Sequence, residues 1–451
     1  MKQTARIIST YSADVMGVSS ALFELGGMVV MHDPSGCNST YTTHDEPRWF
    51  DMDSMIYISG LSEMEAIMGD DEKLISDIEE AAAELEPAFI AIAGTPIPTM
   101  TGFDFEAVAE VIEQRTGIPT FGFPTSGMNT YIHGASMALA GIAKRFVDIP
   151  RVRWKAKAAE NVQDGAVQAE DNASGEPYKV NILGLTPLDF SINGTDDSIA
   201  GWLESEGFEV VSRWAMGSSL DEIKRSADAD VNLVVSAAGI GAAEILYEKY
   251  GIPYVIGLPV GETQSYMLCE TLLDIATVHA VKRGLRTQDI ADQRLTRDEQ
   301  ELLKGWDHLL VISDFDHPAP EGFDDIDDDD FESDPDQPWK EGCVAVIGEG
   351  VTSLALADAI EFDIGVYTKV LCATEIPPDI LRNKDSMTPD EDDIIPELED
   401  VTAVIADPLY KPIVPDGIRF IPLPSEAFSG RMYRDEIPDI VKDAGAILDR
   451  L

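Results

Sequence analysis

A short segment near the start of the chain holds the densest group of side chains that could do chemistry. His32, Asp33 and Cys37 fall within six residues, and His44 follows soon after. The apolar run Met28–Met31 before them is typical of a strand, so Cys37 is expected just past a strand end, after a Pro-x-Gly turn. A thiolate there can bind a soft metal, and iron–sulfur clusters are its usual partner. The spacing alone leaves open an ordinary buried cysteine in a tight turn.

The other three cysteines lie in a different context. Cys269, Cys343 and Cys372 stand among apolar residues of helices or strands, which predicts small core residues. Four cysteines in 451 residues form no disulfide framework. Cys37 cannot complete a four-thiolate site by itself, so a cluster would need further ligands.

The elements that must position these residues follow a pattern that occurs three times. Each copy is a buried strand, a connection and a second buried strand entered through a glycine. The paired runs are 89–94 with 117–123, 231–236 with 251–257, and 401–406 with 417–422. Continuous apolar runs of this length suit parallel strands covered on both faces. We therefore predict an α/β protein with three Rossmann-like, doubly wound parallel-sheet domains around a central cleft.

Composition sets the expected boundaries of these modules. We predict domains at residues 1–150, 178–313 and 341–451. The connection 151–177 is polar and has no apolar period, which indicates a linker or a surface insertion. The connection 314–340 carries a run of aspartates between prolines, and their mutual repulsion favours a solvated loop.

The overall charge narrows the classes of function. The chain has 32 Lys+Arg against 83 Asp+Glu, a formal charge of −51. Such a surface repels phosphate backbones and anionic lipid, so binding to nucleic acid or to a membrane is not expected. The charge suits either a salt-rich cytoplasm or a partner with a basic docking face. No run approaches the ~20 apolar residues of a membrane span or forms a signal core, so we expect a cytoplasmic protein.

Nucleotide-binding motifs are weak in this sequence. Gly348-Glu349-Gly350 follows a predicted strand and is half of a dinucleotide fingerprint, and we favour its interpretation as a tight strand-to-helix turn. The sequence contains no phosphate loop of the Gly-x-x-x-x-Gly-Lys-Ser/Thr type. The chain is therefore not expected to hydrolyse nucleotide by itself.

Topology indicates which other side chains could face a substrate. Ligands of doubly wound sheets bind beyond the carboxyl ends of the strands. Ser126, Asn129 and His133 follow a predicted strand end in the first module, and Asp189 and Asn193 follow the first strand of the second. These five residues are candidates for the substrate cleft. Solvated loops or satisfied turns are the alternative at the same positions.

Two segments of the first module resemble nitrogenase component 1 proteins. The segment His32–Cys37 is similar to that family's Gly-Pro-x-Gly-Cys motif, and Ile58–Leu74 is similar to its Glu-x-Asp-Ile-Val-x-Gly-Gly-x-x-Lys-Leu segment. Gly251–Tyr254 with Leu258–Gly261 resembles a stretch of the family's second domain. The resemblance implies three Rossmann-like domains and a catalytic component that works with a separate ATP-hydrolysing iron protein. That protein delivers electrons to an iron–sulfur cluster at a subunit interface, from which they pass to a small-molecule substrate in the cleft.

The chain departs from the family where cofactor ligands are expected. Cys37 matches one of several cluster cysteines, and Thr95 stands at the position of another. The cysteine that binds the complex cofactor in true nitrogenases falls near Ser236, which joins the cleft candidates, and the third module contains no histidine. A molybdenum–iron cofactor and dinitrogen reduction are therefore not expected.

The resemblance nevertheless implies a cluster of the 4Fe-4S type that bridges two subunits, in a homodimer or in a heterodimer with a paralogue. Cys37 would bind this cluster, and His32, Asp33, His44 or cysteines of the partner would supply the remaining ligands. A reductase of a substrate that the sequence does not identify is the first expectation. Light-independent protochlorophyllide reductase and nickel-tetrapyrrole reductase belong to the same broad family, so a tetrapyrrole-like substrate is one candidate. A non-catalytic scaffold or carrier for metallocofactor or tetrapyrrole assembly is the second, and a cluster-free binding protein is the third.

Overall fold

Three parallel sheets with helices packed on their faces make up the fold. The computed structural model describes residues 5–147, 177–283, 286–304, 309–310 and 340–451. Apart from Pro177 and Lys340, the two predicted connections lie outside the described residues. Every strand pair within a sheet is parallel, which confirms the predicted α/β class. We call the residues around the three sheets the first module (5–147), the second module (177–310) and the third module (340–451).

The first sheet has the strand order β2-β1-β3-β4. Successive residues of its strands pack into different cores: Met28 and Ile90 face one side of the sheet, and Val29 and Ala91 face the other. Because both faces are covered, the central runs 28–31 and 90–93 are apolar at every position. The strands are β1 (Met28–Met31), β2 (Met55–Ile58), β3 (Ile90–Ala93) and β4 (Thr120–Phe123). The helices are α1 (Asp14–Leu22), α2 (Glu63–Met68), α3 (Asp71–Leu85), α4 (Pro96–Thr101), α5 (Phe105–Thr116) and α6 (Tyr131–Arg145).

The second sheet has the order β6-β5-β7-β8-β9. Its strands are β5 (Tyr178–Leu183), β6 (Phe208–Arg213), β7 (Val231–Val234), β8 (Tyr254–Ile256) and β9 (Leu309–Leu310). Its helices are α7 (Pro187–Phe190), α8 (Thr195–Ser205), α9 (Leu220–Ile223), α10 (Ile240–Tyr250), α11 (Glu262–Lys282), α12 (Gln288–Arg294) and α13 (Arg297–Lys304).

The third sheet has the order β12-β11-β10-β13-β14. Its strands are β10 (Lys340–Gly348), β11 (Val366–Cys372), β12 (Ser386–Met387), β13 (Ala403–Ala406) and β14 (Arg419–Pro422). Its helices are α14 (Gly350–Ala359), α15 (Glu391–Glu397), α16 (Glu426–Ser429) and α17 (Ala444–Leu448). The predicted core cysteines, Cys269, Cys343 and Cys372, are all buried, whereas Cys37 is exposed.

The order of strands reverses once in each sheet, between β1 and β3, between β5 and β7, and between β10 and β13. In doubly wound sheets, ligands bind beyond the carboxyl ends of the strands at this switch point. The residues that follow these strands are therefore the first place to look for a site. They include Cys37 and Thr95 in the first module, Asp189 and Ser236 in the second, and Glu349 and Asp407 in the third.

The modules are joined by close packing and by specific polar contacts. Helix α6 packs against α1 and against α10 of the second module. The crossing of α1 and α6 requires two glycines, because a Cβ atom at Gly17 would lie 2.0 Å from the Tyr131 carbonyl oxygen and one at Gly134 would lie 1.8 Å from the Asp14 carbonyl oxygen. Buried Arg48 donates to the Ala215 carbonyl oxygen at 2.9 Å and so ties the first module to the second.

The segment before α1 runs across the third module. The backbone N–H groups of Tyr11 and Ser12 both donate to the Ala427 carbonyl oxygen at 3.0 Å, and the Tyr410 hydroxyl donates to the Ser9 carbonyl oxygen at 2.6 Å. The first and third modules are thus linked through the earliest described residues. Among the described residues, no helix is both long enough and apolar enough to cross a membrane.

Candidate functional site

Cys37 lies in a turn that begins where β1 ends. The Cys37 N–H donates to the Pro34 carbonyl oxygen at 3.1 Å, which closes the turn and leaves the thiol exposed. The neighbouring Asp33 carboxylate is close enough to the thiol to act on it electrostatically. Burial, followed by the negative charge of Asp33, raises the pKa of the Cys37 thiol. This thiol is therefore not an activated nucleophile, and binding of a metal would have to displace its proton.

Asp33 is held in place by residues from three separate parts of the first module. Its carboxylate accepts hydrogen bonds from Asn38 Nδ2 at 2.6 Å and from Thr95 Oγ1 at 2.9 Å, and its backbone N–H donates to Ser59 Oγ at 3.1 Å. Burial raises the pKa of Asp33, and the hydrogen bonds from Thr95, Asn38 and Cys37 partly oppose that rise. Asp33 is the auxiliary ligand candidate that the fold brings next to Cys37.

The two histidine candidates have other surroundings. His32 is buried, its Nδ1 lies 2.9 Å from Ser59 Oγ, and its ring packs on Phe103 with the centroids 4.5 Å apart. Burial lowers the pKa of His32 to about 4, so its ring is neutral at physiological pH. His44 is exposed, and its Nδ1 lies 2.6 Å from the Thr43 hydroxyl oxygen.

These positions give an incomplete set of ligands for a metal. Within the part of the chain that the structure describes, no three His, Cys, Asp or Glu side chains form a group that could hold a metal ion. Cys37 can supply one thiolate, with Asp33 beside it. The described residues of this chain therefore do not complete a cluster site at this turn.

An apolar surface adjoins the Cys37 turn. No residue of α2 is buried, and Met64, Ile67 and Met68 are each about 70% exposed on it. Ile97 and Met100 of α4 are exposed beside them. A concavity of about 700 Å³ lies between α2, α4 and Pro34 of the Cys37 turn. Exposed apolar side chains grouped in this way are typical of an interface with another protein.

A second polar group lies where the three modules meet, around Asp189 of α7. The Asp189 carboxylate accepts hydrogen bonds from the Tyr131 hydroxyl of the first module, from Thr186 Oγ1 at 2.7 Å and from Ser236 Oγ at 2.8 Å. Burial, followed by the nearby Glu349 carboxylate, raises the pKa of Asp189 to about 7. A proton is thus retained by this carboxyl at a pH where an ordinary aspartate is ionised.

Glu349 connects the third module to the same place. Its carboxylate accepts from the Thr352 N–H at 2.8 Å, which caps α14, and from the Ala237 N–H of the second module at 3.0 Å. Burial raises the pKa of Glu349. The cavity that remains beside Asp189, Glu349 and Asp407 measures about 60 Å³. This volume is well below the range of about 300–1,000 Å³ that is typical of small-molecule sites.

Three of the predicted cleft residues lie in satisfied turns. The Ser126 N–H and Asn129 Nδ2 donate to the buried Asp14 carboxylate at 3.0 and 3.2 Å. Asn193 Nδ2 donates to the Ile437 and Pro438 carbonyl oxygens. The structure thus brings Asp189 and Ser236 together and places Ser126, Asn129 and Asn193 elsewhere.

His133 lies beside a separate groove. The groove has a volume of about 410 Å³ and runs between α6, α10 and the loop after β11.

Three residues of these two sites are not among the residues predicted from the sequence. Tyr131 and Glu349 belong to the group around Asp189, and Glu375 lines the groove beside His133. Glu349 could have been found from the sequence, because it stands in a strand-to-helix turn at the switch point of its sheet, where ligands of doubly wound sheets bind.

The first two modules match a known protein family. The model of the family described as nitrogenase component 1 type oxidoreductase matches residues 14–309, which is more than half of the chain. The chain belongs to this family. The matched region contains the Cys37 turn, Tyr131, Asp189 and Ser236, whereas Glu349 lies beyond it.

Relatives in the family have different activities. The nitrogenase iron-molybdenum cofactor biosynthesis protein NifE of Clostridium pasteurianum is 27% identical over 232 residues, which cover 50% of this chain and 45% of that protein. One of the subunits of the light-independent protochlorophyllide reductase of Prosthecochloris aestuarii is 35% identical over 127 residues, 28% of this chain and 24% of that protein. The nitrogenase molybdenum-iron protein alpha chain of Clostridium pasteurianum is 24% identical over 256 residues, 55% of this chain and 43% of that protein. The matches thus span less than half the length of these relatives.

A solved structure extends the likeness to the whole fold. The structure "Nitrogenase Cp1 at pH 6.5" superposes with a TM-score of 0.61 at 14% identity, and the match covers 100% of this chain and 93% of that one. The nitrogenase component 1 fold therefore includes the third module, which confirms the predicted architecture of three Rossmann-like modules.

Proposed function

We propose that this chain is a subunit of a nitrogenase-like reductase whose Cys37 turn contributes a ligand to an iron–sulfur cluster shared with a second subunit. The observation that carries this proposal is the exposed Cys37 thiol at the switch point of the first sheet, next to an apolar surface. The three other cysteines are buried, so none of them competes for this role.

The second subunit follows from the incomplete site. One thiolate with Asp33 beside it cannot hold a 4Fe-4S cluster, which takes four ligands. A second copy of the chain, or a paralogue, that covers the apolar surface of α2 and α4 would bring its own ligands to the same place. When bound, the cluster would relay single electrons between a donor and the substrate.

The electron donor would be a separate ATP-hydrolysing iron protein. The absence of a phosphate loop from the sequence supports this division of labour, because the nucleotide chemistry then belongs to another chain. The membership of the nitrogenase component 1 family supports it as well. The substrate would be a small molecule bound near the junction of the three modules.

Iron and sulfide content after anaerobic purification tests the cluster. Cys37→Ala should lose most of the iron and sulfide, and the absorbance near 400 nm should fall with them. Ser35→Ala is a matched control, because Ser35 is exposed in the same turn. Equal iron in the Cys37→Ala protein and in the wild type would contradict the proposal.

A scaffold or carrier for metallocofactor or tetrapyrrole assembly is the second candidate. It is favoured by the similarity to a cofactor biosynthesis protein. The two functions differ in turnover. A reductase should convert its bound ligand only when the iron protein and ATP are both present, whereas a scaffold should release the ligand unchanged under the same conditions.

A further inference from the structure

The groove beside His133 is built from all three modules. Helix α6 of the first module and helix α10 of the second form its two long sides, and the loop after β11 of the third closes one end. Its volume of about 410 Å³ falls in the range of small-molecule sites, about 300–1,000 Å³. Its apolar lining consists mainly of Ile132, Met137, Ala140, Ile240, Ile376 and Pro377.

The floor of the groove is rigid, because α6 and α10 approach closely there. The Gly241 N–H donates to Ser136 Oγ at 3.2 Å, and a Cβ atom at Gly241 would lie 2.7 Å from the same oxygen. The wall is fixed as well: the Glu375 carboxylate accepts from the Thr130 N–H at 2.8 Å and from the Thr130 hydroxyl. A ligand would therefore enter a preformed site, which lowers the entropic cost of binding.

The charge at the groove is negative. Glu244 and Glu375 line it, and His133 is the titratable base among its described lining residues. These two carboxylates would repel an anionic ligand and attract a cationic one.

We propose that this groove binds a small molecule with an apolar body and a positively charged nitrogen, and that it rejects anionic ligands of the same shape. The inference rests on the proposed function in one respect, because the ligand would be the substrate or cargo of the proposed subunit. A tetrapyrrole with ionised carboxylates is not a ligand of this kind, because the negative charge of the groove disfavours it. The groove, rather than the cavity at Asp189, is then the ligand site.

Three probes of one shape and different charge test this assignment. Phenethylamine is cationic, 2-phenylethanol is neutral and phenylacetate is anionic at pH 7.5. For a ligand of this size we expect phenethylamine to bind the purified protein with a Kd of about 1–10 mM. The alcohol should bind several-fold more weakly, and phenylacetate should show no saturable binding. Ligand-observed NMR titrations give the three affinities, and the His133 ring resonance, assigned with His133→Asn, reports the location.

Two variants connect the affinity to the carboxylates. Glu244→Gln and Glu375→Gln should each weaken phenethylamine about threefold to tenfold and leave 2-phenylethanol unchanged. Glu248→Gln is the control, because Glu248 lies one turn further along α10 and does not line the groove. Three results would overturn the proposal. Phenylacetate could bind as tightly as phenethylamine, both glutamate variants could bind phenethylamine with wild-type affinity, or none of the probes could show saturable binding.

Iron content separates this inference from the proposed function. Cys37→Ala should bind phenethylamine as the wild type does, because the groove lies in other elements. If Cys37→Ala loses its iron but no probe binds, the groove proposal is contradicted and the cluster proposal stands. If the probes bind but Cys37→Ala keeps the iron content of the wild type, the cluster proposal is contradicted and the groove proposal stands.

Discussion

The Cys37 turn and the Asp189 cluster occupy equivalent positions in their modules, yet one is open and the other closed. In both, an aspartate follows the switch-point strand and accepts a hydrogen bond from a hydroxyl that follows the neighbouring strand: Thr95 for Asp33, and Ser236 for Asp189. Around Asp33 the next module does not cover the turn, so the Cys37 thiol is exposed. Around Asp189, Tyr131 and Glu349 from the other two modules fill the space. The local fold thus sets the position of a site, and the neighbouring modules decide whether a ligand can reach it.

The largest expected difference between the two regions concerns stability. Tyr131 is fully buried and its hydroxyl is bound to Asp189, so Tyr131→Ala should lower the free energy of unfolding by about 3–5 kcal/mol. Tyr57→Ala on edge strand β2, where the tyrosine is 41% exposed, should cost less than about 1 kcal/mol. Urea denaturation midpoints measure both. Similar shifts of the urea midpoint in the two variants would show that the region around Asp189 is packed no more tightly than strand β2.

The second difference concerns pH. The pKa of Asp189 is raised to about 7, so between about pH 4 and pH 7 the folded protein keeps a proton that the unfolded chain releases. The free energy of unfolding should therefore fall as the pH rises through this window, by at most about 1.4 kcal/mol per pH unit. Asp189→Asn should flatten the dependence of the melting temperature on pH between 5 and 8. Exposed Asp51→Asn serves as the control, and the same slope in both variants would contradict this role of Asp189.

The smallest expected effect concerns the reactivity of the thiols. After iron is removed by chelation, iodoacetamide should label Cys37 in the folded protein and leave buried Cys372, beside Glu349, unlabelled. Asp33→Asn should speed the labelling of Cys37 about twofold to fivefold at pH 8, because loss of the adjacent negative charge lowers the thiol pKa. Mass spectrometry of the labelled peptides gives both rates, with exposed Glu63→Gln as the control. Labelling of Cys372 at the rate of Cys37 would show that the reagent reaches the region around Glu349 in the folded protein.

The elements could be predicted from the sequence because their signals are local. Continuous apolar runs such as 89–94 and 231–236 predicted strands, and β3 and β7 lie within them. The apolar run and the Pro-x-Gly turn predicted that Cys37 lies just past a strand end, and it follows β1 in the structure. The sequence left open whether the thiol is buried, and it is exposed. The buried state of the other three cysteines followed from their apolar neighbours.

The partners of the polar side chains could not be predicted, because they come from distant parts of the chain. Ser126 and Asn129 look like free polar residues after a strand, but the carboxylate that binds them is Asp14, more than 110 residues earlier. Glu349 looks like a residue of a simple turn, but it accepts from Ala237 across a module boundary. His32 lies close to Cys37 in sequence, yet Ser59 and Phe103 hold its ring.

The contacts of Ser9, Tyr11 and Ser12 with the third module have a consequence for how the protein is made. The partners of these residues, Tyr410 and Ala427, lie some 400 positions later in the chain. At about 5–20 residues per second, the ribosome needs about 20–80 seconds to add that many residues. During that time Ser9, Tyr11 and Ser12 have no docking surface, so they can take up their native contacts only after the third module has been made.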